Sequence, residues 1–122
     1  MAVYKVSFKI EELLQMIINQ NEHLLYGITG AGSMVAAFIM EELNINYRAI
    51  YPSEEERKQT SFRKISPTGL IPVLVTPKDV SIFESLAIII HLIETYPNEN
   101  MIAPIGSPSR ARCWQWLSYI AT

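Results

Sequence analysis

Cysteine is nearly absent from this 122-residue chain: Cys113 stands alone, so no internal disulfide can form and nothing points to a bridge-stapled secreted scaffold. Charge is scarce as well. Ten basic and twelve acidic residues leave a formal net charge of −2, with no cationic excess for gripping phosphate backbones, so nucleic acid is not an expected partner. Long hydrophobic runs are missing too. A stretch such as Leu86–Ile90 falls far short of the ~20 residues that a membrane-spanning helix needs. Lys5, Lys9, Glu11 and Glu12 put charge where a signal peptide keeps an uncharged core. No membrane partner is expected, and the cytoplasm is the default location. The two histidines, His23 and His91, do not combine with Cys113 at metal-ligand spacing, so no metal site is expected. What the chain has in quantity is apolar residues: 49% of it is hydrophobic, enough to bury a core in one compact domain.

Periodicity divides the chain into alternating helices and strands. Ile10, Leu13, Leu14, Ile17 and Ile18 recur at helical spacing and predict an amphipathic helix, ended by Asn19-Gln20-Asn21-Glu22. His23, with its polar flanks, reads as a solvated linker residue. Leu24–Ile28 fits a buried strand, broken by the turn Thr29-Gly30-Ala31-Gly32-Ser33. Ser33 then caps a helix from Met34 to Leu43. Asn46–Tyr51 alternates as a second strand, and Ser53 caps a charged segment, Glu54–Lys64, whose acids precede its bases as a helix dipole favours. Val73–Val75 and Val80–Phe83 are strand-like around a Pro77-Lys78-Asp79 hairpin, and Glu84–Tyr96 is strongly helical. A proline-rich linker and a final helix from Ser109 follow. Parallel strands, then a hairpin, all covered by helices, make an α/β layer arrangement.

Three segments carry possible chemistry, each beside a plainer reading. Ile71-Pro72 opens a strand, where proline's missing N–H costs least; a cis bond there would instead turn the Ile71 backbone outward for an extended peptide to pair with. Phe83-Glu84-Ser85 stands where a strand meets a helix. Its acid and hydroxyl either cap that helix or hold a ligand's ammonium and carboxylate. The turn Thr29–Ser33 is either an ordinary turn and cap, or a helix start that stabilises an anion such as a thiolate with help from the Thr29 or Ser33 hydroxyl. Its glycines match neither a phosphate-binding loop nor a dinucleotide fingerprint.

Taken together, the strand–turn–helix unit, Ser66-Pro67-Thr68-Gly69-Leu70-Ile71-Pro72-Val73-Leu74 and Phe83-Glu84-Ser85-Leu86-Ala87-Ile88 resemble the N-terminal domain of glutathione S-transferases. The likeness runs from Leu24 to about Tyr96. It continues through Ala103-Pro104 into Trp116–Thr122, which is similar to the first helix of the second domain in the bacterial beta class. The resemblance implies a thioredoxin-like βαβαββα domain over residues 24–97, preceded by an N-terminal helical extension at 1–23 and followed at 98–122 by a linker and the first helix of a truncated all-α domain. It implies a cis Pro72, glutathione bound as substrate by Leu70, Ile71, Pro72, Glu84 and Ser85, and a thiolate held by Ser33 and Thr29. A small hydrophobic electrophile follows from the same likeness, and exposed apolar helices lead to a homodimer or other self-association.

Two features depart from the family. The beta-class turn resembles G-A-C-S, and its cysteine falls on Gly32 here, so mixed-disulfide chemistry at that position is lost. The chain also ends one helix into the second domain, which leaves the all-round apolar helix Leu86–Ile93 to be covered by Trp114, Trp116 and Ile120, by the N-terminal helix, or by a second chain. Two functions are therefore expected: a transferase that activates glutathione, or a non-catalytic module that binds glutathione or another protein.

Overall fold

The computed structural model describes residues 9–10, 21–28, 30, 32–98 and 101–121. The helix expected over residues 10–18 lies, beyond Ile10, outside that set, and so does Thr29. Four strands, β1 (His23–Tyr26), β2 (Tyr47–Ile50), β3 (Val73–Val75) and β4 (Ser81–Phe83), form one mixed sheet in the order β2-β1-β3-β4. β1 and β2 are parallel, while β3 runs antiparallel to both β1 and β4. Among the described residues the helices are α1 (Ser33–Glu42), α2 (Glu54–Lys58), α3 (Thr60–Arg63), α4 (Ser85–Thr95) and α5 (Pro108–Ala121). This is the α/β, thioredoxin-like order that the sequence led us to expect.

Side chains alternate across a strand, so Leu25, Leu74 and Ile82, paired across β1, β3 and β4, face one side of the sheet. α1 and α4 close that side, and Ala36, Ile39, Met40, Ile88, Ile89 and Leu92 complete the core with Leu25 and Leu74. Burying one such aliphatic side chain contributes roughly 1.5–3 kcal/mol. Tyr26 takes the opposite face, edge-on to Phe62 of α3 with ring centroids 5.8 Å apart. On α4, Ile88, Ile89, Leu92 and Ile93 are buried and Leu86 and Ile90 half-buried, as its all-round apolar sequence requires. Trp114 and Leu117 of α5 pack against this core, but Trp116 and Ile120 are 60% and 57% exposed and do not cover α4.

Local chemistry moves several boundaries. β1 begins at His23 and ends at Tyr26, because Gly27 still donates to the Ile50 carbonyl (2.9 Å) whereas both backbone groups of Ile28 turn to the Ser33 hydroxyl. His23 is not a solvated linker residue. It is 2% exposed, with its N–H donating to the Asn46 carbonyl at 3.0 Å and its ring edge-on to Tyr96. Strand alternation puts it on the core side with Leu25, and that outweighs its polar flanks. Ser53 caps α2 in a full capping box with Glu56, but the charged segment breaks at Gln59 (ψ 151°) into α2 and α3.

Candidate functional site

Register brings the three candidate segments together. Tyr26 pairs with Val73 and Val73 with Phe83, so the end of β1, the start of β3 and the end of β4 share one edge of the sheet. The turn after Tyr26, the Leu70-Ile71-Pro72 loop and the Glu84-Ser85 junction therefore lie side by side.

The Leu70–Pro72 loop is latched from below. The buried Ser66 hydroxyl donates to the Leu70 carbonyl at 2.8 Å, the Gly69 amide donates to the Ser66 carbonyl at 2.9 Å, and the Arg63 guanidinium donates to the Pro67 carbonyl at 3.1 Å. Gly69 sits at φ 71°, a left-handed conformation that favours glycine. Ile71–Pro72 is a cis peptide bond. The Ile71 N–H and C=O form no hydrogen bond among the described residues, and Leu70 stands 59% exposed beside them. Sequence reading passed over Ser66 and Arg63; the polar Ser-Pro-Thr-Gly run was the available signal, since such side chains bond their own backbone.

At the β4–α4 junction Glu84 has φ 73° and ψ 120°. A residue with a Cβ held there costs of order 1–3 kcal/mol, and such strain concentrates at functional sites. Neither Glu84 nor Ser85 caps α4: no side-chain cap bond is made. The Glu84 carboxylate is exposed, and Ser85, only 8% exposed, has no hydrogen-bond partner for its hydroxyl among the described residues. The capping reading of this junction therefore does not hold.

The turn into α1 is arranged differently from expectation. Gly32, not Ser33, stands at the cap position, and Ser33 is the first helical residue. The Ser33 hydroxyl donates to the Ile28 carbonyl at 3.1 Å and accepts from the Ile28 N–H at 3.3 Å, so it ties the end of β1 to α1 rather than facing solvent. Gly27 makes room for it, since a Cβ on Gly27 would collide with the Ser33 side chain. Among the described residues the Gly30 N–H reaches only the Met34 thioether, a weak acceptor, at 3.0 Å. The starts of α1 and α4 touch, with the Ser85 hydroxyl lying against Gly32.

Comparison with known proteins agrees with this geometry. The chain is 34% identical over 58 residues to the glutathione S-transferase GstA of Escherichia coli O157:H7, covering 48% of this chain and 29% of that protein. It is 37% identical over 79 residues to glutathione S-transferase 1 of Dianthus caryophyllus, covering 65% and 35%. The chain thus spans less than half the length of these curated relatives. Among solved structures it resembles a glutathione transferase homologue from sulfitobacter with bound glutathione (TM-score 0.73, 21% identity, 84% of this chain and 50% of that one). It also resembles the transferase URE2P6 of Phanerochaete chrysosporium in complex with oxidized glutathione (TM-score 0.71, 28% identity, 82% and 48%). A sequence profile of the glutathione S-transferase N-terminal domain matches residues 25–100, and with that match over more than half its length the chain belongs to the glutathione S-transferase N-terminal domain family.

Proposed function

We propose that this domain binds glutathione as its substrate and holds the thiol as a thiolate for attack on small hydrophobic electrophiles. The observation that carries the reading is the convergence of an unpaired Ile71 backbone, an exposed Glu84 held at φ 73° and an unpartnered Ser85 hydroxyl at one helix start. A tripeptide with a zwitterionic end calls for those groups. Its central peptide pairs with Ile71 as an added strand, flanked by Leu70 and Pro72. Its ammonium meets Glu84, and its carboxylate takes the Ser85 hydroxyl and the free N–H groups of the first turn of α4. Support comes from the Phanerochaete transferase complexed with oxidized glutathione, which is 28% identical to this chain.

Lowering a thiol from its usual pKa of ~8.5 by two units takes ~2.7 kcal/mol of differential stabilisation. A sheltered helix start contributes up to ~2 kcal/mol, and one hydrogen bond to the charged sulfur a further ~1.5 kcal/mol or more. In this scheme the start of α1 supplies the dipole, Ser33 holds the turn in place, and Thr29 supplies the hydroxyl. The reading extends to beta-class kinship, to a cytoplasmic location, and to the division into an extension (1–23), a glutathione-binding unit (24–97) and a linker with a first helix (98–122). It also pairs two copies through the apolar groove of about 640 Å³ between α1, α4 and α5, where Phe38 and Trp116 are 62% and 60% exposed.

Titration calorimetry with reduced glutathione, run beside a chlorodinitrobenzene conjugation assay, tests the proposal. Saturable heat and conjugation above the uncatalysed rate are expected. Absence of both overturns the reading, and heat without turnover removes its catalytic half.

A further inference from the structure

We propose that the outer edge of β2 is a docking site for a different polypeptide, which adds there as a further strand with small apolar side chains alternating with lysine or arginine. The site lies apart from the glutathione groups and does not depend on that reading.

β2 closes the sheet on one side, and among the described residues no strand pairs with its outer edge. Ladder geometry says which backbone groups that edge presents. The His23 and Gly27 amides donate to the Asn46 and Ile50 carbonyls, so residues 46, 48 and 50 turn their backbone groups toward β1. Tyr47 and Ala49, which alternate with them, turn theirs away. Native sheets guard such an edge with lysine, proline or an inward-pointing charge. β2 carries none of these: its one charge, Arg48, lies on the face away from Leu25 and Ala49, 3.7 Å from Glu22.

The helix layer also stops short of β2. Leu25 and Ala49 are register partners on one face, yet Leu25 is 2% exposed and Ala49 is open to solvent. Beside Ala49 the surface is apolar, with Met34 and Phe38 of α1 and Tyr51 all exposed. They line, with Tyr47 and Ala49, a cleft of about 190 Å³. That is below the ~300–1,000 Å³ of small-molecule pockets and suits one short side chain of an added strand. The rim is acidic. Glu41, which accepts from the Tyr47 hydroxyl at 2.9 Å, stands by the start of β2, and the exposed Glu54 and Glu55 follow its end. A strand that is apolar toward the cleft and cationic outside it complements both features, whereas a second β2 would bring the same acids against this rim.

The test uses the full chain and a fluorescein-labelled peptide, Lys-Val-Lys-Val-Lys-Val-Lys, followed by fluorescence polarisation. Saturable binding is expected, and about tenfold weaker binding both for the order Lys-Lys-Val-Val-Val-Lys-Lys and for the alternating peptide with glutamate in place of lysine. Ala49→Pro removes an N–H that points away from β1, a place where an edge strand tolerates proline. It is expected to abolish peptide binding while the urea midpoint and glutathione affinity stay close to those of the parent. Ala49→Lys, a second variant that puts a cation beside the cleft, is expected to weaken the peptide about tenfold. Parental peptide affinity in both variants, equal binding of the two lysine peptides, or no saturable binding overturns the proposal. In that last case, binding gained on Val6→Asp with Phe8→Asp would assign the edge to the chain's own N-terminal segment, and self-association abolished by Ala49→Pro would assign it to a second copy.

Discussion

At one end of the sheet, where β1, β3 and β4 meet the starts of α1 and α4, the Ser85 hydroxyl and the Ile71 backbone groups have no partner among the described residues. At the other end His23 is shut in: its Nε2 lies 3.4 Å from the Tyr96 hydroxyl, and its Nδ1 is buried without a partner among the described residues. Both ends carry polar groups that the fold leaves unsatisfied, but the consequences differ. An unpaired group that a ligand can reach is a binding group in waiting. An unpaired group sealed inside is a standing cost of roughly 1–3 kcal/mol and makes stability depend on its protonation.

The core beneath both ends gives the largest expected effect. Leu74→Ala, at a position with 0% exposure, is expected to lower unfolding free energy by ~2–5 kcal/mol in urea melts, loosening both ends together. An effect confined to one end would mean that they are not joined through this core. Next comes Ser85→Ala, expected to weaken glutathione binding about tenfold while shifting the urea midpoint little, because its hydroxyl holds nothing in the fold. A large stability loss with unchanged affinity would reverse the roles assigned to the two ends.

The His23 end is probed by pH. Burial pushes the His23 imidazole below its usual value; the nearby Asn46 backbone opposes this, and repulsion from His91 adds to it. The unfolded chain, with a histidine pKa near ~6.5, therefore binds the proton first as pH falls. Stability is expected to be level above that value and to decline as pH drops through it toward the depressed folded value. His23→Gln should flatten the decline in urea melts between pH ~7.5 and ~5.5, and an unchanged slope would place the sensitivity elsewhere. The smallest effect lies at neither end. Ser53→Ala removes the capping box of the exposed α2 and is expected to cost ~0.5–1 kcal/mol, with glutathione affinity unchanged.

Legibility in the sequence followed the range of the interaction involved. The Ser53 cap, the apolar α4 and the hairpin around Pro77–Asp79 are written in neighbours within a few residues, and these were readable. His23 was misjudged because its flanks are polar, whereas its burial comes from strand alternation and from Tyr96, far along the chain. Ser33 looked like a helix cap for a similar reason. Its commitment to Ile28 becomes visible only once Gly27 lets the strand end and the helix start pack together. Trp116 and Trp114, two positions apart on α5, read alike as apolar, yet only Trp114 reaches the core.

The sequence by itself determined the order of elements, the apolar rows that build the core, and the three short segments with chemistry in them, because each is set by residue type and near-neighbour spacing. Only the tertiary structure decided that those segments share one edge, that Ser85 rather than Ser33 carries the unpartnered hydroxyl, and that Gly32 lies against it. Those facts depend on the β1–β3 and β3–β4 registers and on the contact between two helix starts. Such long-range geometry comes from packing the whole sheet against α1 and α4, and no local preference encodes it.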